Sequence, residues 1–100
     1  MTSASESGTK HVIRRQYRYR GRVQGVGFRW RARYAAQAYG VTGWVENEYD
    51  GSVVLELQGD AGQIERVLAC VESGRYLQID DCEARDVPPV PEERGFSVRG

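Results

Sequence analysis

Cysteine and histidine are nearly missing from this chain, which has only Cys70, Cys82 and His11. Two cysteines make no disulfide framework, they are too far apart for a metal knuckle, and one histidine cannot complete a protein-only zinc site. A cysteine nucleophile would lack its base. Both cysteines are therefore expected to be small buried side chains. No apolar run approaches a membrane span and the N-terminus carries no apolar signal segment, so the expected compartment is the cytoplasm. Lysine is scarce as well, with Lys10 alone against thirteen arginines, and the net charge is zero. That charge is unevenly spread. Residues 1–33 hold Lys10 and eight arginines against Glu6, a cationic end expected to attract anions.

What is present fits one small domain, with 100 residues, 40% of them hydrophobic and 28% charged. Residues 1–12 are polar and rich in Ser, Thr and Gly, and are expected to form a disordered tail before a domain at 13–100. Tyr17, Tyr19, Gly21 and Val23 alternate with Arg18, Arg20 and Arg22, the pattern of a half-buried strand. From Phe28 the period changes: Phe28, Ala32, Ala35, Ala36 and Tyr39 make one face of a helix that Gly40 ends. Val41 to Asn47 reads as a strand, Asp50-Gly51 as a hairpin turn, and Val53, Leu55 and Leu57 as the inward face of a third strand. Asp60 is the expected N-cap of a second helix, paired with Gln63, with Ile64, Val67, Leu68 and Val71 as its stripe and Gly74 as its stop. Ile79 to Val87 is a fourth strand with Cys82 and Ala84 inward, and Phe96 to Val98 a short last one, after a segment that three prolines keep extended. The order predicts an α+β, ferredoxin-like split βαβ sandwich, an antiparallel sheet of four to five strands with two helices on one face.

The first strand-to-helix junction, Gln24-Gly25-Val26-Gly27-Phe28-Arg29, has the ingredients of an anion cradle. Its glycines let backbone N–H groups converge, and the helix adds unsatisfied N–H groups and its positive end. Arg29, leaning back from the first turn, brings a two-pronged guanidinium to the same place. A Gly-rich turn before a helix is more often simple punctuation. Asn47 belongs at the same sheet edge, because strands joined by a helical crossover run parallel. Its amide suits a water-orienting role, although a residue opening the hairpin accounts for it equally well from spacing alone.

Gly21-Arg22-Val23-Gln24-Gly25-Val26-Gly27-Phe28-Arg29 resembles the acylphosphatase signature G-x-V-Q-G-V-x-F-R. Gly43-Trp44-Val45-Glu46-Asn47 with Asp50-Gly51 resembles the second one, G-W-V-x-N-x-x-D-G. Both occur in order, and the similarity extends from about Tyr17 to Arg99, with the closing pattern at Gly95-Phe96-Ser97-Val98. The resemblance implies a hydrolase that splits the carboxylic-phosphoric anhydride of acyl phosphates into carboxylate and inorganic phosphate. It implies Gln24, Gly25, Val26, Gly27 and Phe28 as the phosphate-binding loop, Arg29 as its clamp, Asn47 as the positioner of the attacking water and Ser52 as a second-rank candidate near that water. It implies no metal and no organic cofactor. Glu48 departs from the Thr or small polar residue of some relatives, and its negative charge would repel an anionic substrate.

The expected partners are a small acyl phosphate and, as competing anions, phosphate or sulfate; no nucleic acid, no membrane and a monomeric state are expected. Two alternatives stand beside this. One is an RNA-binding module of similar topology, suggested by the arginines of the first strand with Tyr17, Tyr19, Trp30 and Trp44; Ser52 to Gln58, however, lacks the aromatics that stack bases. The other is a catalytically silent domain of the same family used for protein contacts. The end of the chain just after the last expected strand favours a stand-alone enzyme over it.

Overall fold

The computed structural model describes residues 11–100, so residues 1–10 of the tail expected at 1–12 lie outside them, while Val12 already belongs to the first strand. Strand β1 (Val12–Arg22) leads to helix α1 (Phe28–Tyr39), followed by β2 (Thr42–Asn47), β3 (Val53–Asp60), α2 (Ala61–Val71), β4 (Gln78–Asp86) and β5 (Phe96–Arg99). The sheet order is β4-β1-β3-β2-β5. All neighbours are antiparallel except β2 and β5, which run parallel, so the sheet is mixed where a purely antiparallel one was expected. The polypeptide between β4 and β5 passes from one edge of the sheet to the other. That crossing reverses the direction in which β5 arrives.

Tyr17, Tyr19, Val45, Val53, Leu55 and Leu57 point to the helix side and pack with Phe28, Ala32, Ala35 and Ala36 of α1 and Ile64, Val67 and Val71 of α2 in one buried cluster. Gly40, left-handed at φ 69°, closes α1: its N–H bonds to Gln37 and that of Val41 to Ala36 at 2.9 Å, satisfying two terminal carbonyls. The Asp60 carboxylate accepts from the Gly62 N–H at 3.1 Å, a single bond rather than the expected pairing with Gln63. Nor does Gly74 end α2. The helix ends at Val71 with Glu72 as its C-cap, and Ser73 folds its hydroxyl onto the Cys70 carbonyl at 2.7 Å.

Strand β4 departs furthest from expectation. Cys82 and Ala84 pair with Tyr19 and Tyr17, but both are exposed because β4 is an edge strand beyond the cover of the helices. Cys70 is only half-buried, so neither cysteine is the buried residue expected. The acids of β4 have a partner instead. Arg15, Arg18 and Arg20 stand opposite Asp86, Glu83 and Asp81, and Arg15 and Arg20 form ion pairs with this strand. These exposed pairs add little stability, yet they cancel much of the positive charge of β1.

The other face of the sheet carries a polar lock. Arg14, 3% exposed, donates to Glu56, to Gln58 at 3.1 Å and to Glu93 at 2.7 Å and 3.2 Å. Gln58 grips Val90 both ways, accepting from its N–H at 2.7 Å and donating to its carbonyl at 2.9 Å. Together they fasten the crossing segment. Burial alone would push the Glu93 carboxyl up, but hydrogen bonds from Arg14 and Thr42 and the Arg14 charge hold it below the ordinary value of 4.5. A carboxyl lowered on folding contributes stability that is present above its unfolded value and lost as pH falls through its folded one. Unfolding free energy in urea should therefore decline as pH drops below about 4.5, and Glu93→Gln should flatten that decline. At neutral pH, Arg14→Met, which strands two carboxylates, should cost about 3–5 kcal/mol.

Candidate active site

Both β1 and β2 run antiparallel to β3, so they are parallel to each other and end at one sheet edge. Tyr19 and Asn47 flank Val53 there, one on each side. Beyond β1 the chain turns through residues 23–27 into α1. The Phe28 ring meets Tyr19 at 5.1 Å between centroids, which pins the start of the helix over that edge. Gly25 and Gly27 are left-handed, at φ 73° and 83°, with open space where a Cβ would stand. Glycine is required here by the backbone, not by crowding.

Gly27 caps α1 with no side-chain hydrogen bond, and the first turn holds no acid. The leading N–H groups are therefore left for another partner. Arg29, Arg31 and Arg33 follow in the first two turns, the wrong sign for a helix N-terminus. An anion bound at the cap would relieve both conditions at once.

Val23, Gly25 and Gly27 of the turn, Phe28 to Trp30 of the helix and Asn47 line one cavity of about 140 Å³. A water takes about 30 Å³, so the space suits a small anion with a water beside it. Asn47 belongs to this lining, and its Oδ1 is buried with no hydrogen-bond partner among the described residues. The guanidinium of Arg29 is steadied by the main-chain oxygen of Gly100, to which Nη1 donates at 2.7 Å. Gly100 itself lies against Glu46 and Asn47.

The residues singled out in the sequence thus divide. Gly25, Gly27, Phe28, Arg29 and Asn47 meet at the cavity, whereas Gln24, Val26 and Ser52 do not line it. The Gln24 amide braces the turn, donating to the carbonyls of Glu48 at 2.8 Å and Ser52 at 2.9 Å. The Ser52 hydroxyl donates to Asp50 at 2.6 Å and accepts from Arg18 at 2.9 Å, which binds it to the hairpin and to the open face of the sheet. Hydrogen bonds from the Ser52 hydroxyl and N–H hold the Asp50 carboxyl below its ordinary value. Glu48 closes the hairpin through its backbone, its N–H reaching the Ser52 carbonyl at 2.8 Å. Two contributors escaped the sequence reading. Trp30 was weighed only as a base-stacking residue, and no motif marks a Gly100 main-chain oxygen folding back onto Arg29.

A sequence model of the family described as acylphosphatase matches residues 15–98. The chain belongs to the acylphosphatase family. It is 37% identical over 90 residues to an acylphosphatase of Lacticaseibacillus paracasei, covering 88% of this chain and 97% of that one. It is 38% identical over 79 residues to one of Clostridium acetobutylicum, covering 78% and 87%. Among solved structures, the acylphosphatase of Bacillus subtilis matches with a TM-score of 0.77 at 26% identity, over 88% of this chain and 98% of that one. Full-length HypF in its phosphate- and nucleotide-bound form matches with a TM-score of 0.82 at 30% identity, over 92% of this chain and 12% of that one. Family membership brings acylphosphatase activity with it, and the RNA-binding alternative is not favoured. Tyr17 and Tyr19 lie in the core, and the Arg99 guanidinium stands 4.3 Å over the Trp44 ring.

If the left-handed turn makes the anion site, Gly27→Ala should lose about 1–2 kcal/mol of stability and also weaken binding of inorganic phosphate by calorimetry. Gly40→Ala, at the opposite end of α1, should lose comparable stability with phosphate affinity unchanged.

Proposed function

We propose that this acylphosphatase holds the phosphoryl group of its substrate in the turn from Gln24 to Phe28, clamps it with Arg29 and orients the attacking water with Asn47. The observation that carries this reading is that Asn47, whose buried Oδ1 has no hydrogen-bond partner among the described residues, lines the same cavity as Arg29 and the capping turn. An acceptor left unsatisfied in a folded interior is costly unless something arrives to use it, and a water molecule has the right chemistry.

The turn and the first N–H groups of α1 donate to the equatorial phosphoryl oxygens, and the Arg29 fork donates two more hydrogen bonds to them. Asn47 accepts a hydrogen bond from water and so aims an oxygen lone pair at phosphorus, in line with the departing carboxylate. The carboxylate is already a good leaving group, so little general-acid help is needed. Charge stabilisation and placement supply the catalysis. Gln24 serves by holding the turn, and Ser52 acts only through Asp50 and the hairpin. Phosphate or sulfate competes for the cradle. The enzyme works as a cytoplasmic monomer, without nucleic acid or membrane; in support of the last, no helix of the described residues is long and apolar enough to cross one.

Arg29→Ala should abolish both benzoyl phosphate hydrolysis and inhibition by inorganic phosphate, and Arg29→Lys should fail to restore them, because the two-pronged geometry is lost. Asn47→Ala should lower kcat by about 10²–10³ while phosphate still inhibits at its original concentration. Unchanged hydrolysis in either variant would defeat the assignment.

A further inference from the structure

The phosphoryl cradle occupies only one end of a longer surface. Gly27, Trp30, Arg31 and Tyr34 line a second cavity of about 360 Å³. Their spacing, i, i+3, i+4 and i+7, makes them a single stripe along α1, starting at the residue that caps the helix. Gly27 and Trp30 belong to both cavities. One molecule can therefore span the two.

The character of the second cavity is aromatic. Trp30 is 65% exposed and Tyr34 66% exposed, and their rings meet edge to face at 5.5 Å and 85°. Paired rings of this size left in water are a recognition surface more than a packing feature. Side chains on a helix lean toward its N-terminus, so both rings tilt toward the anion end. The buried face of α1, by contrast, is Phe28 with alanines.

We infer that the Trp30–Tyr34 groove receives the acyl group, and that this enzyme prefers acyl phosphates whose acyl group is aromatic. The inference rests on the phosphoryl site proposed above. With the phosphoryl group at Gly25 and Gly27, a short acyl group such as acetyl ends within the smaller cavity. An aromatic one continues over Gly27 and lies against the exposed rings, displacing water from both. Arg31 on the same stripe adds positive charge to the approach path.

The test compares kcat/KM for benzoyl and acetyl phosphate in the full chain, in Tyr34→Ala, in Tyr34→Phe and in Tyr76→Ala, a similarly exposed tyrosine outside α1. Tyr34→Ala should lower the benzoyl-to-acetyl ratio about tenfold, which corresponds to about 1.4 kcal/mol. Tyr34→Phe should keep the ratio, because the ring carries the contact, and Tyr76→Ala should leave it unmoved. A ratio unmoved in Tyr34→Ala, or lowered equally by Tyr76→Ala, overturns the inference while hydrolysis itself stands. Phenylphosphonate and methylphosphonate binding supplies a readout without turnover: the phenyl compound should bind more tightly, and Tyr34→Ala should erase that advantage. Should the full chain hydrolyse neither acyl phosphate, the hydrolase reading fails, and equal binding of the two phosphonates would overturn the groove as well.

Discussion

A strand that ends at Arg22 must become a helix by Phe28, and the backbone manages this with left-handed residues at Gly25 and Gly27. That turn leaves the cap of α1 without a side-chain partner and its leading N–H groups without an intrahelical one. Three arginines in the following turns add positive charge where the helix already has its positive end. Taken by itself this is an unfavourable arrangement for a helix. An anion at the cap would reverse that balance, which is the physical support for the phosphoryl site proposed above.

The rest of the molecule serves to hold Asn47 and Arg29 against that turn. Interposing β3 between β1 and β2 makes the outer two parallel and brings Tyr19, Val53 and Asn47 to one level. Phe28 packed at a tilt against Tyr19 fixes the helix, and the Gln24 amide fixes the turn to the hairpin. On the far side, Arg14 with Glu56 and Glu93 ties down the crossing segment that delivers β5 and finally the Gly100 main-chain oxygen to Arg29. Such a buried network contributes placement more than net stability.

Much of this was legible in the residues. The switch from period two to period 3.6 at Phe28 marked the strand, the turn and the helix, and two signatures in register marked Arg29 and Asn47. What escaped has physical reasons. Cys82 and Ala84 alternate like inward residues, but alternation says which face a side chain takes and not whether a helix covers that face. The acids of β4 have no visible partner in the linear sequence, and only the register shows them opposite arginines. The parallel entry of β5 depends on a segment crossing the sheet, a long-range path with no local pattern. Ser52 fell near Asn47 in sequence, yet its hydroxyl serves Asp50 and Arg18 on the opposite face.

Titrating inorganic phosphate into isotope-labelled protein, and following backbone amides by NMR, tests the central claim most directly. The amides of Gly25 through Arg29 and the side-chain amide of Asn47 should shift together, with a single dissociation constant. Shifts confined to β1 and β4, around Arg18, Arg20 and Arg85, with the turn unmoved, would contradict it.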